Sequence, residues 1–178
     1  MSDEKSKVAT GISVMDFAIQ AEEEGAAFYT AASKLADNPE VKAYLSALAK
    51  EETKHAQIFG KLKEKIAKKG ITDSFVDPDV GDYLDAVIRG GLFEAARGGT
   101  NGGTELPRSF DEVYRIAIRA ERSSILLYEA LAEATMDRGL KKAIQTMVRE
   151  EKSHLVKVVA LRADQDNLFA IERFGCMC

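Results

Sequence analysis

The sequence predicts an all-α protein, a four-helix bundle of two antiparallel helical hairpins joined by a long crossover that contains a short helix. Apolar residues recur at helical spacing in four long segments, and short turn signals divide these segments into two pairs. The second pair also repeats the first. Four residues recur, type for type, 99 positions later (121 − 22): Glu22 as Glu121, Tyr29 as Tyr128, Glu52 as Glu151 and His55 as His154. An internal repeat of this kind predicts two structurally related halves.

The first hairpin is expected over about residues 12–70. Its first helix should begin near Ser13, because the pair Ser13 and Asp16 has the spacing of a capping box. The helix should run to about Ala36 and present an apolar stripe to the core.

A turn at residues 37–39 should separate the first two helices. Asn38 is a suitable N-cap and Pro39 suits the first helical position, where its missing N–H costs nothing. The second helix keeps its apolar residues, Tyr44 among them, along one side. It should end at Gly70, because glycine commonly terminates helices.

The crossover is expected at residues 71–108, with a short helix at roughly 80–96 and a flexible glycine-rich loop at 98–103. The second hairpin should then cover about 109–169. Ser109 is expected to cap the third helix, which continues to about Met136.

The fourth helix should start at Leu140 after a turn at residues 137–139 and run toward Phe169 or beyond. We therefore expect residues 11–172 to form a single domain, with a frayed segment at 1–10 and a C-terminal tail at 173–178 that carries a Cys-x-Cys motif.

Composition excludes several classes of function. The net charge of −4 gives a nucleic-acid partner no electrostatic support. No apolar run is long enough to span a bilayer, and the N-terminal residues lack the apolar core of a signal peptide. We expect a cytoplasmic protein. Its two cysteines, Cys176 and Cys178, lie in the last three residues, so no disulfide framework is expected to brace the fold.

The repeated residues have the chemistry of a dinuclear metal site. Each half contributes one helix with a glutamate and one helix with an E-x-x-H motif, which is the ligand set of carboxylate-bridged di-iron or di-manganese bundles. Four carboxylates would balance the charge of two divalent ions, and a neutral site tolerates burial far better than bare glutamates would. The candidate metal ligands number six: Glu22, Glu52, His55, Glu121, Glu151 and His154.

The spacing allows all six to converge. Glu22 precedes Asn38 by 16 residues and Glu52 follows it by 14, and the second half has the same numbers around Asp137. At about 1.5 Å per residue, the two glutamates of a hairpin differ in height by only about 3 Å. Solvated surface charge is the alternative interpretation, but it does not account for two equally spaced copies that use both histidines of the chain.

These motifs resemble the ferritin-like superfamily, and most closely its rubrerythrin-like branch, over about residues 12–165. The resemblance implies two iron ions, with manganese or zinc as alternatives. It implies that Glu52 and Glu151 bridge the metals, while Glu22 and Glu121 are terminal ligands. It also implies that Tyr29 and Tyr128 hydrogen-bond to ligand carboxylates at the catalytic site. An ordinary core tyrosine is the competing interpretation of each. Glu51 and Glu150 are expected either to support a histidine or to be exposed helix charges.

The sequence departs from typical rubrerythrins at two places. Ser124 stands where they carry an additional glutamate, and no paired C-x-x-C motifs of a rubredoxin domain are present. The electron donor should therefore be a separate, rubredoxin-like protein. We expect the tail cysteines Cys176 and Cys178 to lie in a disordered segment, with a thiol pair or an intermolecular contact as alternatives.

The resemblance predicts an oxidoreductase that uses two ferrous ions to reduce hydrogen peroxide or O₂, as a peroxidase or a ferroxidase. We expect a homodimer. Three alternatives remain open at this point: iron storage or metal buffering, a dimanganese catalase-like enzyme, and a structural bundle without metal.

Overall fold

The computed structural model describes residues 11–69 and 109–174, and the side-chain surroundings within 14–69 and 109–163. These residues form four helices: α1 (Gly11–Leu35), α2 (Pro39–Lys68), α3 (Phe110–Ala134) and α4 (Arg138–Phe174). α1 packs along α2, α3 packs along α4, and α2 also contacts α4. The predicted four-helix bundle is confirmed. The crossover helix, the glycine-rich loop, the frayed N-terminus and the cysteines of the tail lie outside the described residues.

Polar caps set the starts of α2 and α3, as the sequence predicts. The Asn38 Oδ1 atom accepts hydrogen bonds from the amides of Glu40 (2.8 Å) and Val41 (3.4 Å), and Pro39 is the first residue of α2. The Ser109 hydroxyl accepts a hydrogen bond from the amide of Glu112 at 3.2 Å. These contacts satisfy amide groups that a helix start leaves without an intrahelical partner.

Two predicted helix starts are wrong by two residues. α1 already includes Gly11, so Ser13 lies inside the helix rather than capping it, and Asp16 forms an ion pair with Lys63 of α2. α4 starts at Arg138 instead of Leu140. There the Asp137 Oδ1 atom accepts a hydrogen bond from the Leu140 amide at 2.9 Å, so this aspartate acts as the cap.

The ends of α1, α2 and α3 differ from prediction by one or two residues, whereas α4 extends beyond Phe169, as the prediction allowed. α1 ends at Leu35, and α2 ends at Lys68 with Lys69 as its C-cap. α3 ends at Ala134, two residues before Met136, and α4 continues to Phe174, into the segment expected to be tail. Such shifts are common because helix ends fray and are weakly specified by local sequence.

Ion pairs at the helix ends establish the direction of the chain. Lys69, just after α2, pairs with Asp137 in the turn between α3 and α4. The hydrogen bond from Lys69 lowers the pKa of Asp137 to about 2, with help from the Leu140 amide. At the opposite end, Asp111 near the start of α3 pairs with Arg162 at 2.9 Å. α2 and α3 are therefore parallel, so the end of α2 and the start of α3 lie at opposite ends of the bundle, as the predicted long connection between the hairpins requires.

The bundle interior is mainly apolar, and its buried charged residues lie together. Large buried side chains from all four helices form one core, including Met15, Leu45, Phe59, Leu131 and Ile144. Within the described residues, this core also encloses four glutamates and both histidines. None of the described helices is long and apolar enough to cross a membrane.

Candidate metal centre

The structure brings the six sequence-predicted ligands to one place in the core. Each helix contributes the residues that the repeat assigns to it, one glutamate each from α1 and α3 and one E-x-x-H motif each from α2 and α4. All six residues are buried, none with more than 4% of its total surface exposed. Helical spacing explains the local arrangement, since Glu52 and His55 lie three residues apart and share one face. The same holds for Glu151 and His154.

Each histidine directs its Nδ1 atom toward glutamates of both hairpins. His55 Nδ1 lies 2.8 Å from Oε1 of Glu151, 3.5 Å from Glu22 and 3.7 Å from Glu52. His154 Nδ1 lies 3.1 Å from Oε1 of Glu52, and 3.8 Å from both Glu121 and Glu151. The shortest contact of each Nδ1 atom is therefore with the E-x-x-H glutamate of the opposite hairpin. The imidazole rings are stacked, with centroids 5.4 Å apart and planes inclined by 14°.

The donor atoms at the centre fit a metal. Five buried atoms of this cluster form no hydrogen bond of normal geometry, although two His–Glu pairs among them lie 2.8 and 3.1 Å apart: Glu52 Oε1, His55 Nδ1, Glu121 Oε2, Glu151 Oε1 and His154 Nδ1. Leaving buried polar atoms unsatisfied is costly, so their concentration in one place indicates a missing partner. One ligand atom from each of Glu52, His55, Glu151 and His154 lies within 4.8 Å of the other three. Carboxylate oxygens with imidazole nitrogens are the donors that divalent iron and manganese accept.

The pKa values of the buried glutamates also indicate that the cluster has an excess of negative charge. Burial raises the pKa of Glu22 well above the usual value, and the close contact with Glu52 adds to the effect. Burial also raises the pKa of Glu121, and the charges of Glu151 and Glu52 raise it further. The pKa of Glu52 is instead lowered: burial opposes its ionisation, but contacts with Glu22, His154 and His55 outweigh burial. Without a metal, protons have to relieve the excess negative charge.

The histidines hold protons for the same reason. Burial alone would lower the pKa of His55, but its contacts with Glu151, Glu22 and Glu52 raise it strongly. The pKa of His154 is also raised, because contact with Glu52 and the charges of Glu52 and Glu151 outweigh burial. A divalent ion at the Nδ1 atoms would displace these protons, as metal ligation by histidine requires.

The two repeated tyrosines connect the hairpins. Tyr29 of α1 donates its hydroxyl hydrogen to Glu121 of α3, and Tyr128 of α3 donates to Glu22 of α1. Burial, followed by the charge of the glutamate that each contacts, raises the pKa of both phenols, so they remain donors. Each tyrosine thus holds the first glutamate of the opposite half, Glu121 or Glu22, and leaves the other oxygen of that carboxylate for the centre.

Glu150 and Glu51 contact the outer edges of the histidines. Glu150 Oε2 lies 2.7 Å from Nε2 of His55, and Glu51 Oε2 lies 2.9 Å from Nε2 of His154. Both contacts cross between α2 and α4. With its Nε2 atom hydrogen-bonded to a carboxylate, each imidazole is oriented so that Nδ1 faces the centre.

Sequence reasoning missed two residues near the site. It placed Tyr44 only on the apolar side of α2, yet its buried hydroxyl has no hydrogen-bond partner among the described residues. Burial raises the pKa of Tyr44, as do the charges of Glu121 and Glu51. Lys157 was not singled out, although its Nζ atom lies 3.8 Å from Oε2 of Glu51. A comparison of the two repeats could have found both residues, because the repeats differ at these positions: Tyr44 aligns with Ala143, and Lys157 aligns with Ile58. Ser124 is buried one turn after Glu121 and offers no carboxylate.

Comparisons with known proteins agree with this geometry. A family model described as Rubrerythrin matches residues 13–162. Among solved structures, a protein of Thermotoga maritima described as a candidate ferritin-like diiron-carboxylate protein is 25% identical, with a TM-score of 0.64. The match covers 86% of this chain and 95% of the other. Among curated proteins, none matches the chain significantly. The buried glutamate and histidine cluster is able to hold two iron ions.

Proposed function

The chain belongs to the rubrerythrin family, and we propose that it is a diiron-carboxylate oxidoreductase that reduces hydrogen peroxide, with O₂ as the second oxidant. The observation that carries the proposal is the cluster of five buried carboxylate and imidazole atoms that form no hydrogen bond of normal geometry and are enclosed by the apolar core. Two ferrous ions at these atoms would supply one electron each to peroxide, whose O–O bond breaks and, with two protons, yields two molecules of water.

We assign the six converging side chains as the metal ligands. Glu52 and Glu151 are proposed to bridge, because each lies within 3.8 Å of the Nδ1 atoms of both histidines. Glu22 and Glu121 are proposed as terminal ligands, because each approaches only one histidine within that distance. His55 and His154 then provide one nitrogen to each of the two positions.

Tyr29 and Tyr128 are proposed to position the terminal carboxylates rather than to exchange protons with the oxidant. Their raised pKa values keep the hydroxyls protonated, and their hydrogen bonds orient Glu121 and Glu22. In the metal-free chain, protons are held within the cluster that the metals would neutralise, at His55, His154, Glu22 and Glu121. Metal binding is therefore coupled to their release.

Anaerobic loading followed by rapid mixing tests this function. The chain should bind about two ferrous ions, and one equivalent of peroxide should oxidise both in a single fast phase, with a slower reaction when O₂ replaces peroxide. Glu22→Gln should impair loading and oxidation, whereas Glu23→Gln changes an exposed neighbouring carboxylate and should leave both unchanged. Uptake of many more than two irons per chain would instead favour storage, and failure of peroxide to oxidise a loaded centre would refute the proposal.

A further inference from the structure

The outer edges of the two imidazoles face a surface depression of about 390 Å³. Two carboxylates line this depression. Glu51 accepts a hydrogen bond from Nε2 of His154, and Glu150 accepts one from Nε2 of His55. The repeat makes these two pairs equivalent: Glu51 aligns with Glu150 and His55 with His154. The surroundings of the pairs are not equivalent, however.

Lys157 breaks the symmetry. It lines the depression one turn after His154, and its Nζ atom lies 3.8 Å from Oε2 of Glu51, the same oxygen that contacts His154 at 2.9 Å. In the other half the aligned residue is Ile58, which has no charge to offer Glu150. Glu150 therefore contacts His55 at 2.7 Å without a competing cation from that position.

This difference bears on metal affinity. A carboxylate that accepts the second N–H of a histidine makes the imidazole a stronger metal ligand, and loss of such a partner typically costs about 10–100-fold in affinity. A lysine ammonium close to the same oxygen weakens this effect, because it attracts the negative charge that would otherwise act on the imidazole N–H. We propose that Lys157 makes the two metal positions unequal, so that the position at His55 fills before the position at His154. Lys157 is thus a positioning residue that acts through Glu51.

The effect of Lys157 rests on the proposed metal centre, so the experiment has to distinguish failure of that effect from failure of the centre. Cobalt(II) is the probe, followed by its visible absorption and by competition with a chelator, which report affinity without any activity. His55→Ala leaves the position at His154, and His154→Ala leaves the position at His55. Lys157→Met should tighten cobalt binding about two- to fivefold in the His55→Ala background, the size expected for a partly exposed ion pair. It should have no effect in the His154→Ala background.

Three further variants give the controls. Lys157→Arg keeps the charge and should restore the original affinity. Lys54 lines the same depression but forms no ion pair with the described residues. Lys54→Met should therefore change the cobalt affinity of neither position. Ile58→Lys introduces the missing charge in the first half and should weaken the position at His55.

Specific outcomes overturn the inference. It would be refuted if Lys157→Met had equal effects in both backgrounds or no effect in either. It would also be refuted if Lys54→Met changed cobalt affinity as much as Lys157→Met. None of these outcomes would argue against the metal centre itself. If the unmodified chain bound no cobalt at stoichiometric level, the proposed centre itself would fail, and the inference with it.

Discussion

Tyr29 on α1 donates a hydrogen bond to Glu121 on α3, so the first hairpin holds a candidate ligand of the second. The reciprocal contact runs from Tyr128 to Glu22. A residue of one half therefore secures a candidate ligand of the other half, which couples the stability of the bundle to the geometry of the site.

The first prediction follows from this contact. Tyr29→Phe leaves one oxygen of buried Glu121 without its donor and should destabilise the metal-free chain by about 1–3 kcal/mol. Tyr128→Phe should cost a similar amount. Tyr44→Phe is the matched control, because the Tyr44 hydroxyl has no hydrogen-bond partner in the described part of the chain. Urea unfolding of the three variants measures the difference, and an equal loss in Tyr44→Phe would count against a specific role for the tyrosine–glutamate bonds.

The second prediction concerns the histidines. His55→Ala or His154→Ala should reduce metal content from about two ions per chain toward one, because each removes the only nitrogen donor of one proposed position. The double variant should lose most of both. Elemental analysis after gel filtration measures the content, with Gln57→Ala on the same helix as a control outside the cluster. Retention of two ions by the double variant would disprove the ligand assignment.

The third prediction is a pH dependence of opposite sign in the metal-free and metal-loaded chains. Burial raises the pKa of Glu22 and Glu121, and contacts with carboxylates raise the pKa of His55 and His154. The folded state then holds protons that the unfolded chain releases, so stability falls as pH rises above the unfolded values of about 4.3 for glutamate and about 6.5 for histidine. The lowered pKa of Glu52 acts in the opposite direction, but only below about pH 4.3.

Metal should reverse this trend, because it binds the deprotonated ligands and is favoured as pH rises. Thermal melting between about pH 5 and pH 9 should therefore show Tm decreasing without metal and increasing with saturating ferrous iron, under anaerobic conditions. The variant Glu22→Gln with Glu121→Gln should flatten the metal-free curve, since it removes two of the responsible groups. A metal-free Tm that increases over this range would contradict the pKa shifts.

The fourth prediction concerns turnover. The given sequence has no paired C-x-x-C motifs that could hold a rubredoxin iron, so this chain alone should react with peroxide once and then stop. Sustained peroxide consumption should require an added reductase and a rubredoxin-like carrier. A coupled assay that follows reductant consumption measures it. Replacing Cys176 and Cys178 by serine should leave carrier-dependent turnover unchanged, whereas loss of all turnover would show that the terminal thiols recycle the site.

Much of the fold could be predicted because its signals are local. Asn38 and Ser109 cap helices by contacts with amides two or three residues away, so their roles can be read directly from the sequence. The start of α1 could not be read in this way, whereas α4 was placed two residues late although Asp137 caps it through the Leu140 amide, three residues away. Asp16 has the spacing of a capping box but pairs with Lys63, which is distant in sequence, and Asp137 caps α4 while also pairing with Lys69.

The sequence by itself determined which residues of the candidate site share a helix face and a height, because helical rise and periodicity depend only on spacing along the chain. Only the tertiary structure decided which residues meet across the bundle. Spacing does not reveal that Tyr29 reaches Glu121, that Nδ1 of His55 lies closest to Glu151, or that Lys157 shares an oxygen of Glu51 with His154. These contacts depend on how two hairpins, separated by residues 70–108, pack side by side, and no local preference of either hairpin encodes that arrangement.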